Sequence, residues 1–119
     1  MSATNYRDLI AWKRAFELTL AVYRETACFP IEERYGITIQ LRKACVSIPS
    51  NIAEGEGRKS ASEFRRYLVI ALGSLKEAET QILISEALGY FRKGSAANLM
   101  SMSGEVGRLL CGLIKSISS

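Results

Sequence analysis

Four basic side chains lie within nine residues of one another near the middle of the sequence: Arg58, Lys59, Arg65 and Arg66. Guanidinium and ammonium groups bind phosphate oxygens, so this cluster can contact a nucleic-acid backbone without reading its sequence. Lys13 and Arg14 can extend the same surface. The structural alternative is that Arg58 and Lys59 compensate the negative end of a helix dipole beside a solvated loop. No aromatic residues interleave with these cations in the way that stacks bases, so sequence-specific recognition of single strands is not expected.

A row of polar side chains repeats at steps of three and four residues ahead of those cations: Gln40, Lys43, Ser47, Asn51 and Glu54. On a helix these positions share one side. They predict a hydrogen-bond network or subunit contact that fixes the packing, a ligand or nucleic-acid contact, or an ordinary solvated face. Glu77, on a later helix, is the expected partner of Arg42 or Lys43, because a buried carboxylate needs a cation.

The side chains that most often carry out catalysis are absent or isolated. The sequence contains no histidine, which removes the commonest general base and the commonest zinc ligand. Cys28, Cys45 and Cys111 are far apart among apolar neighbours and are expected to be buried thiols without a redox or metal role. Gly55 and Gly57 follow a predicted helix instead of a strand, which excludes a phosphate-binding loop. We therefore predict a protein that is not an enzyme and uses no metal or cofactor.

The composition predicts one globular domain over residues 1–119. Hydrophobic residues make up 48% of the chain and charged residues 24%, which is typical of a folded protein. No apolar run approaches the roughly 18 residues that a membrane span needs. Charged residues also interrupt the N-terminal segment, so a cytoplasmic location is expected. The net charge of +4 permits nucleic-acid binding but does not demand it.

Apolar residues that recur every three or four positions predict the four helices that must position these side chains. Their approximate ranges are 6–27, 32–54, 61–88 and 95–117. Pro30 separates the first two helices, and Ser60 with Glu63 forms the capping-box pattern at the start of the third. Short connections between long helices predict an all-α fold, an antiparallel up-down four-helix bundle.

The second helix contains a proline, Pro49, in its interior. This residue has no N–H for the Cys45 carbonyl, so we expect a bend. Gly55 and Gly57 are expected to end the helix in the left-handed conformation.

Two helices carry apolar patterns with consequences for assembly. In the first, one apolar face is formed by Leu9, Trp12, Phe16, Thr19, Leu20 and Tyr23. In the third, the predicted core stripe is Phe64, Leu68, Ala71, Leu75, Ala78 and Ile82. Further apolar residues of the third helix lie off that stripe: Val69, Ile70, Leu83, Ile84 and Ala87. Burial on two sides is not needed in a monomeric bundle, so this pattern predicts a homo-oligomer.

Several sequence blocks resemble one bacterial family: Glu33 to Ile37, Gln40 to Ala44, Ser47 to Gly55, Gly73 to Gln81 and Leu88 to Tyr90, with Trp12 and Pro30 in the family's places. This is the four-helix-bundle family of 23S rRNA intervening-sequence proteins. That family is similar to the accessory protein of diversity-generating retroelements, which forms a pentameric, barrel-like assembly, binds nucleic acid and partners a reverse transcriptase. The resemblance implies a ring-like homopentamer, with RNA or DNA as a partner and a reverse transcriptase by analogy only.

Two functions follow as expectations. The first is a non-enzymatic oligomeric scaffold that associates with an RNA or DNA backbone through the basic residues near Arg58. The alternative is a structural protein–protein interaction module that does not bind nucleic acid. A continuous positive surface on the assembled oligomer would favour the first function, and a mixed surface would favour the second.

Overall fold

A computed structural model of the protein describes residues 5–118. Within these residues the chain forms four α-helices and no strand: α1 (Ile10–Glu25), α2 (Ile37–Gly57), α3 (Ala61–Ala87) and α4 (Ser95–Ser118). Single turns of 3-10 helix occupy Tyr6–Asp8, Thr26–Cys28 and Ile31–Glu33. The predicted all-α class with four helices is confirmed.

The first two helices begin later than the apolar pattern predicts. Asn5 caps a 3-10 turn and Leu9 is extended, so α1 begins at Ile10 instead of near residue 6. Gly36 leaves helical geometry, with φ −107° and ψ −121°, so α2 begins at Ile37 instead of near residue 32. The Glu33 carboxylate accepts a hydrogen bond from the Ile37 N–H at 3.3 Å, which occupies one of the free amides at the start of α2.

The glycines near the end of α2 do not end it, contrary to the sequence prediction. α2 stays helical through Gly55 to Gly57, and the left-handed residue is Lys59, with φ +59°. Gly55 is buried against α3, where an added Cβ would lie 2.6 Å from the Tyr67 Cβ. Glycine at this position therefore permits close approach of the two helices and does not serve as a helix stop.

Only half of the predicted capping box forms at the start of α3. The Ser60 hydroxyl accepts a hydrogen bond from the Glu63 N–H at 3.4 Å. The Glu63 carboxylate instead accepts from Arg66. The cap residue is thus as predicted, whereas the reciprocal contact is replaced by an ion pair on the helix surface.

Side chains from all four helices form one buried core. The predicted core stripe of α3 is buried from Leu68 to Ile82, with Phe64 half-buried. On α1, however, the buried side is formed by Ala11, Ala15, Leu18, Ala21 and Val22. The larger apolar residues Phe16, Leu20 and Tyr23 of the predicted face are exposed. Alanines in the core let α1 pack closely, so its bulkier side chains lie outside.

The Cys45 carbonyl left without a backbone donor by Pro49 has a partner on another helix. The Thr19 hydroxyl of α1 lies 3.1 Å from this carbonyl and 2.9 Å from the carbonyl of Ala15. A single hydroxyl proton is shared between the two acceptors. The contact joins α1 to α2 at the position where the proline interrupts the hydrogen bonds of α2.

We predict that Gly55→Ala destabilises the fold by about 1–3 kcal/mol, because the added methyl group overlaps Tyr67 and Phe64. Gly57→Ala is the matched control, since an added Cβ meets nothing within 4 Å there. It should be neutral or stabilise by up to about 1 kcal/mol through helix propensity. Urea unfolding followed by circular dichroism measures both. Equal stability of the two variants would contradict the close-packing role of Gly55.

We also predict that Thr19→Val costs about 1–2 kcal/mol, because the Cys45 carbonyl loses its donor. In a Pro49→Ala background the restored N–H can bond to that carbonyl, so the same substitution should cost only a few tenths of a kcal/mol. Thr80→Val is the control, since the Thr80 hydroxyl contacts only the Lys76 carbonyl of its own helix. Urea unfolding of all the variants at one protein concentration gives the free energies for this double-mutant cycle. If Thr19→Val lowers the free energy of unfolding equally in both backgrounds, Thr19 is not the donor that compensates for Pro49.

Candidate functional site

The turn between α2 and α3 is organised around the buried ring of Tyr67. The Tyr67 hydroxyl accepts a hydrogen bond from Arg58 at 2.8 Å and donates one to Glu54 at 3.2 Å. Arg58 also pairs directly with Glu54 at 3.0 Å. The Glu54 hydrogen bond and the neighbouring Tyr67 raise the pKa of Arg58, so its guanidinium stays charged. These contacts hold Arg58 in one place at the surface.

A second guanidinium lies over the same ring. The Arg58 and Arg66 groups lie 5.2 Å and 4.7 Å from the centre of the Tyr67 ring. Arg66 donates hydrogen bonds to Glu63, which lowers the pKa of Glu63 and keeps it ionised. Cation–π contacts of this kind orient a guanidinium while leaving its edges exposed to solvent. Arg58 and Arg66 thus both contact the Tyr67 ring near the start of α3.

Carboxylates accompany the cations of this turn. Lys59 pairs with Glu56 at 3.1 Å, as Arg58 and Arg66 pair with Glu54 and Glu63. Between residues 54 and 66 the four cations accompany three carboxylates, which leaves a net charge of +1. The electrostatic field of one chain at this turn is therefore weak and mixed in sign.

The two candidate cations on α1 point to different surroundings. Arg14 contacts Glu17 on its own helix at 3.1 Å and Glu105 on α4 at 3.3 Å. Lys13 is exposed beside it. Arg14 is thus oriented toward α4, and its charge is offset by two carboxylates.

The predicted polar row divides into a packed part and an exposed part. The Ser47 hydroxyl meets the Ser74 hydroxyl of α3 at 2.7 Å, and the Asn51 amide donates to the Ser47 hydroxyl at 2.9 Å. Gln40 and Lys43 are exposed farther along the row. The middle of the row therefore forms an interhelical hydrogen-bond network, which fixes how α2 and α3 meet.

Arg42 bonds to α1 and not to the carboxylate expected on α3. It donates to the Thr26 hydroxyl at 2.9 Å and to the Tyr23 carbonyl at 3.3 Å, and its guanidinium lies 4.6 Å from the Tyr23 ring centre. Glu77 is exposed, and its carboxylate accepts from Gln81 at 3.4 Å. Lys43 and Glu77 are thus both directed outward.

Two apolar surfaces, each with several exposed side chains, complete the set of candidate interaction features. The groove face is formed by Trp12, Phe16, Leu20, Val46 and Pro49, which line a groove of about 370 Å³ between α1 and α2. The ridge face lies on α3 and consists of Val69, Ile70, Leu83 and Ile84, each 41–50% exposed. The apolar pattern of α3 had predicted the ridge face. The apolar pattern of α1 does not predict the groove face, because it does not show that Trp12, Phe16 and Leu20 line a groove with residues of α2.

The cysteines do not share one environment, contrary to expectation. Cys28 and Cys111 are exposed, whereas Cys45 is buried and burial raises its pKa to about 12. The Cys45 thiol is therefore protonated and unreactive at neutral pH. Among residues 5–118, no group of three metal-ligating side chains is placed to hold a metal ion. The helices described for these residues also include none that is long and apolar enough to cross a membrane.

Comparison with known proteins identifies the family. No curated protein matches the chain. Among solved structures, the chain is similar to a protein of unknown function from the S23 ribosomal protein family of Bacteroides thetaiotaomicron, with 22% identity and a TM-score of 0.81 over 89% of this chain and 96% of that one. At this identity the likeness shows a shared fold alone. The family described as 23S rRNA-intervening sequence protein matches residues 7–112, so the resemblance found in the sequence is confirmed and the chain belongs to that family.

Proposed function

We propose that the protein is a non-enzymatic scaffold that assembles into a homo-oligomer through its apolar helix faces. The observation that carries this proposal is the exposure of large apolar side chains on both α1 and α3, including Phe16, Leu20, Ile70 and Leu83. Val69 with Ile70 and Leu83 with Ile84 form two exposed apolar pairs on α3, and exposed apolar patches on a small domain often mark contact with another protein. Protein–protein contact is therefore the function that the geometry supports best.

We further infer that the helices run antiparallel in an up-down bundle and that the oligomer is a closed ring. Ser47 meets Ser74 and Glu54 meets Tyr67, so positions that rise along α2 meet positions that fall along α3. This register supports the antiparallel arrangement. A pentamer is the number that the family resemblance implies.

Association with a nucleic-acid backbone is the second candidate. It is favoured by the contacts of Arg58 and Arg66 with the same Tyr67 ring, close to Lys59 and Arg65 in the sequence. Three carboxylates reduce the net charge of this turn to +1 in one chain. Repetition of the turn around a ring would multiply weak phosphate contacts, which makes this function dependent on assembly.

We expect the purified full chain to have a mass of about 66 kDa in solution, five times the 13.2 kDa of one chain. The assembly should persist at high salt, because apolar contacts are not screened by ions. Size-exclusion chromatography with multi-angle light scattering at 0.1 and 1 M sodium chloride measures the mass. A monomer at micromolar concentration would refute the scaffold proposal, and another closed oligomer would correct the subunit number.

For the nucleic-acid candidate, Lys59→Ala with Arg65→Ala should flatten the dependence of binding on salt. The slope of log K against log salt should fall by about 0.9 for each duplex phosphate contact that is lost. Arg92→Ala with Lys93→Ala removes the same charge from the turn before α4 and should leave the slope nearly unchanged. Filter binding of a mixed-sequence RNA hairpin and a DNA duplex measures both variants. No retention at 50 mM salt, or equal slopes, would refute phosphate contact at the α2–α3 turn.

A further inference from the structure

The groove face and the ridge face lie on different sides of the bundle. Helix α1 packs against α2 and α4, and α3 packs against the same two helices. Helices α1 and α3 therefore occupy opposite corners of the bundle. One chain thus offers two separate apolar surfaces on different sides of the bundle, and neither covers the other within the same chain.

The two faces differ in shape in a way that suits mutual contact. The groove face is concave, because small or short residues such as Thr19, Ser50 and Ala53 line it between the larger side chains of α1 and α2. The ridge face is convex, since it is the outer side of a single helix. Gly73 lies between Ile70 and Ile84, and space is open beside its Cα, so another chain can approach the α3 backbone closely.

One pair of opposite charges can also meet across the two faces. Glu77 lies seven residues after Ile70 and seven before Ile84, so an exposed carboxylate lies on the same side of α3 as the ridge face. Lys43 lies three residues before Val46, so an exposed ammonium lies beside the groove face on α2. An ion pair between Lys43 of one copy and Glu77 of another would place opposite charges within the covered surface.

Self-pairing of either face through a two-fold axis would leave the other face exposed in every copy. Contact between unlike faces covers both surfaces with a single kind of interface. It also brings Lys43 to Glu77, whereas two-fold pairing near these positions would bring like charges together. Shape, charge and coverage thus favour the same arrangement.

We propose that the groove face of one copy receives the ridge face of a second copy, so that subunits join head to tail. This proposal rests on the homo-oligomeric function proposed above and specifies which surfaces meet. Because the two faces are separate, each copy joins two neighbours, and repetition of the contact generates a ring where the rotation closes.

Complementation between two damaged chains tests the proposal. Leu20→Asp breaks the groove face and Ile84→Asp breaks the ridge face, at residues that are 44% and 45% exposed. Each variant alone should be monomeric by light scattering. An equimolar mixture should form a dimer of about 26 kDa, twice the 13.2 kDa of one chain, because only one intact groove–ridge contact is available. Ser101→Asp, at an exposed position on α4, is the control and should assemble as the unmodified chain does.

The outcomes separate the two proposals. A monomeric unmodified chain refutes the scaffold function itself. An unmodified oligomer in which Ile84→Asp assembles normally overturns the groove–ridge contact, because the groove face would then pair without α3. An oligomer in which Leu20→Asp assembles normally, or a mixture of folded variants that stays monomeric, overturns it as well.

Reversal of the charges at Lys43 and Glu77 provides a second test. It changes residues that are already charged and leaves the apolar side chains of both faces intact. Lys43→Glu and Glu77→Lys should each raise the dissociation constant of assembly at least tenfold. The doubly exchanged chain should recover most of that loss, since the pair is restored in the opposite sense. Sedimentation equilibrium measures all four chains, and circular dichroism confirms that each is folded. Independent, additive effects of the two exchanges would overturn the proposed pairing.

Discussion

The carbonyl of Cys45 lies in the middle of α2 without a backbone donor, because Pro49 has no N–H to offer it. A proline in a helix interior costs about 3 kcal/mol when its consequences are left uncompensated. Here the hydroxyl of Thr19 on α1 lies within hydrogen-bond distance of that carbonyl. The position of α1 against α2 is thereby tied to the helix irregularity, and Pro49 itself becomes part of the groove between the two helices.

Small residues at the helix contacts determine which apolar side chains stay exposed at the surface of the bundle. Ala11, Ala15 and Ala21 form most of the buried side of α1, so this helix packs closely while its larger apolar residues remain accessible. Gly55 has the same effect at the α2–α3 seam, where it allows Tyr67 to pack against the backbone. The buried side of α1 thus consists mostly of small residues. The larger apolar side chains of this helix lie at the surface, where they are available for contact between chains.

Much of this architecture could be predicted from the residues, and the exceptions have physical reasons. The four helices follow from apolar periodicity, and the two-sided pattern of α3 indicated the ridge face. The buried side of α1 could not be predicted in this way, since alanine gives a weak hydrophobic signal although it packs well. The end of α2 was misplaced because glycine favours helix ends on average, while here Tyr67 and Phe64 stabilise Gly55 inside the helix. Pairing of Arg58, Lys59 and Arg66 with carboxylates depends on side-chain geometry, which spacing alone does not determine.

The aromatic pair at the groove has a spectroscopic consequence. Trp12 is the one tryptophan of the sequence, and it stacks on Phe16 with ring centres 5.1 Å apart. Its indole ring is half-buried and lines the groove. Indole emission depends on the polarity around the ring, so tryptophan fluorescence, excited selectively over the five tyrosines, reports on this surface. The chain thus carries its own optical probe at the place where α1 and α2 present their apolar residues to solvent.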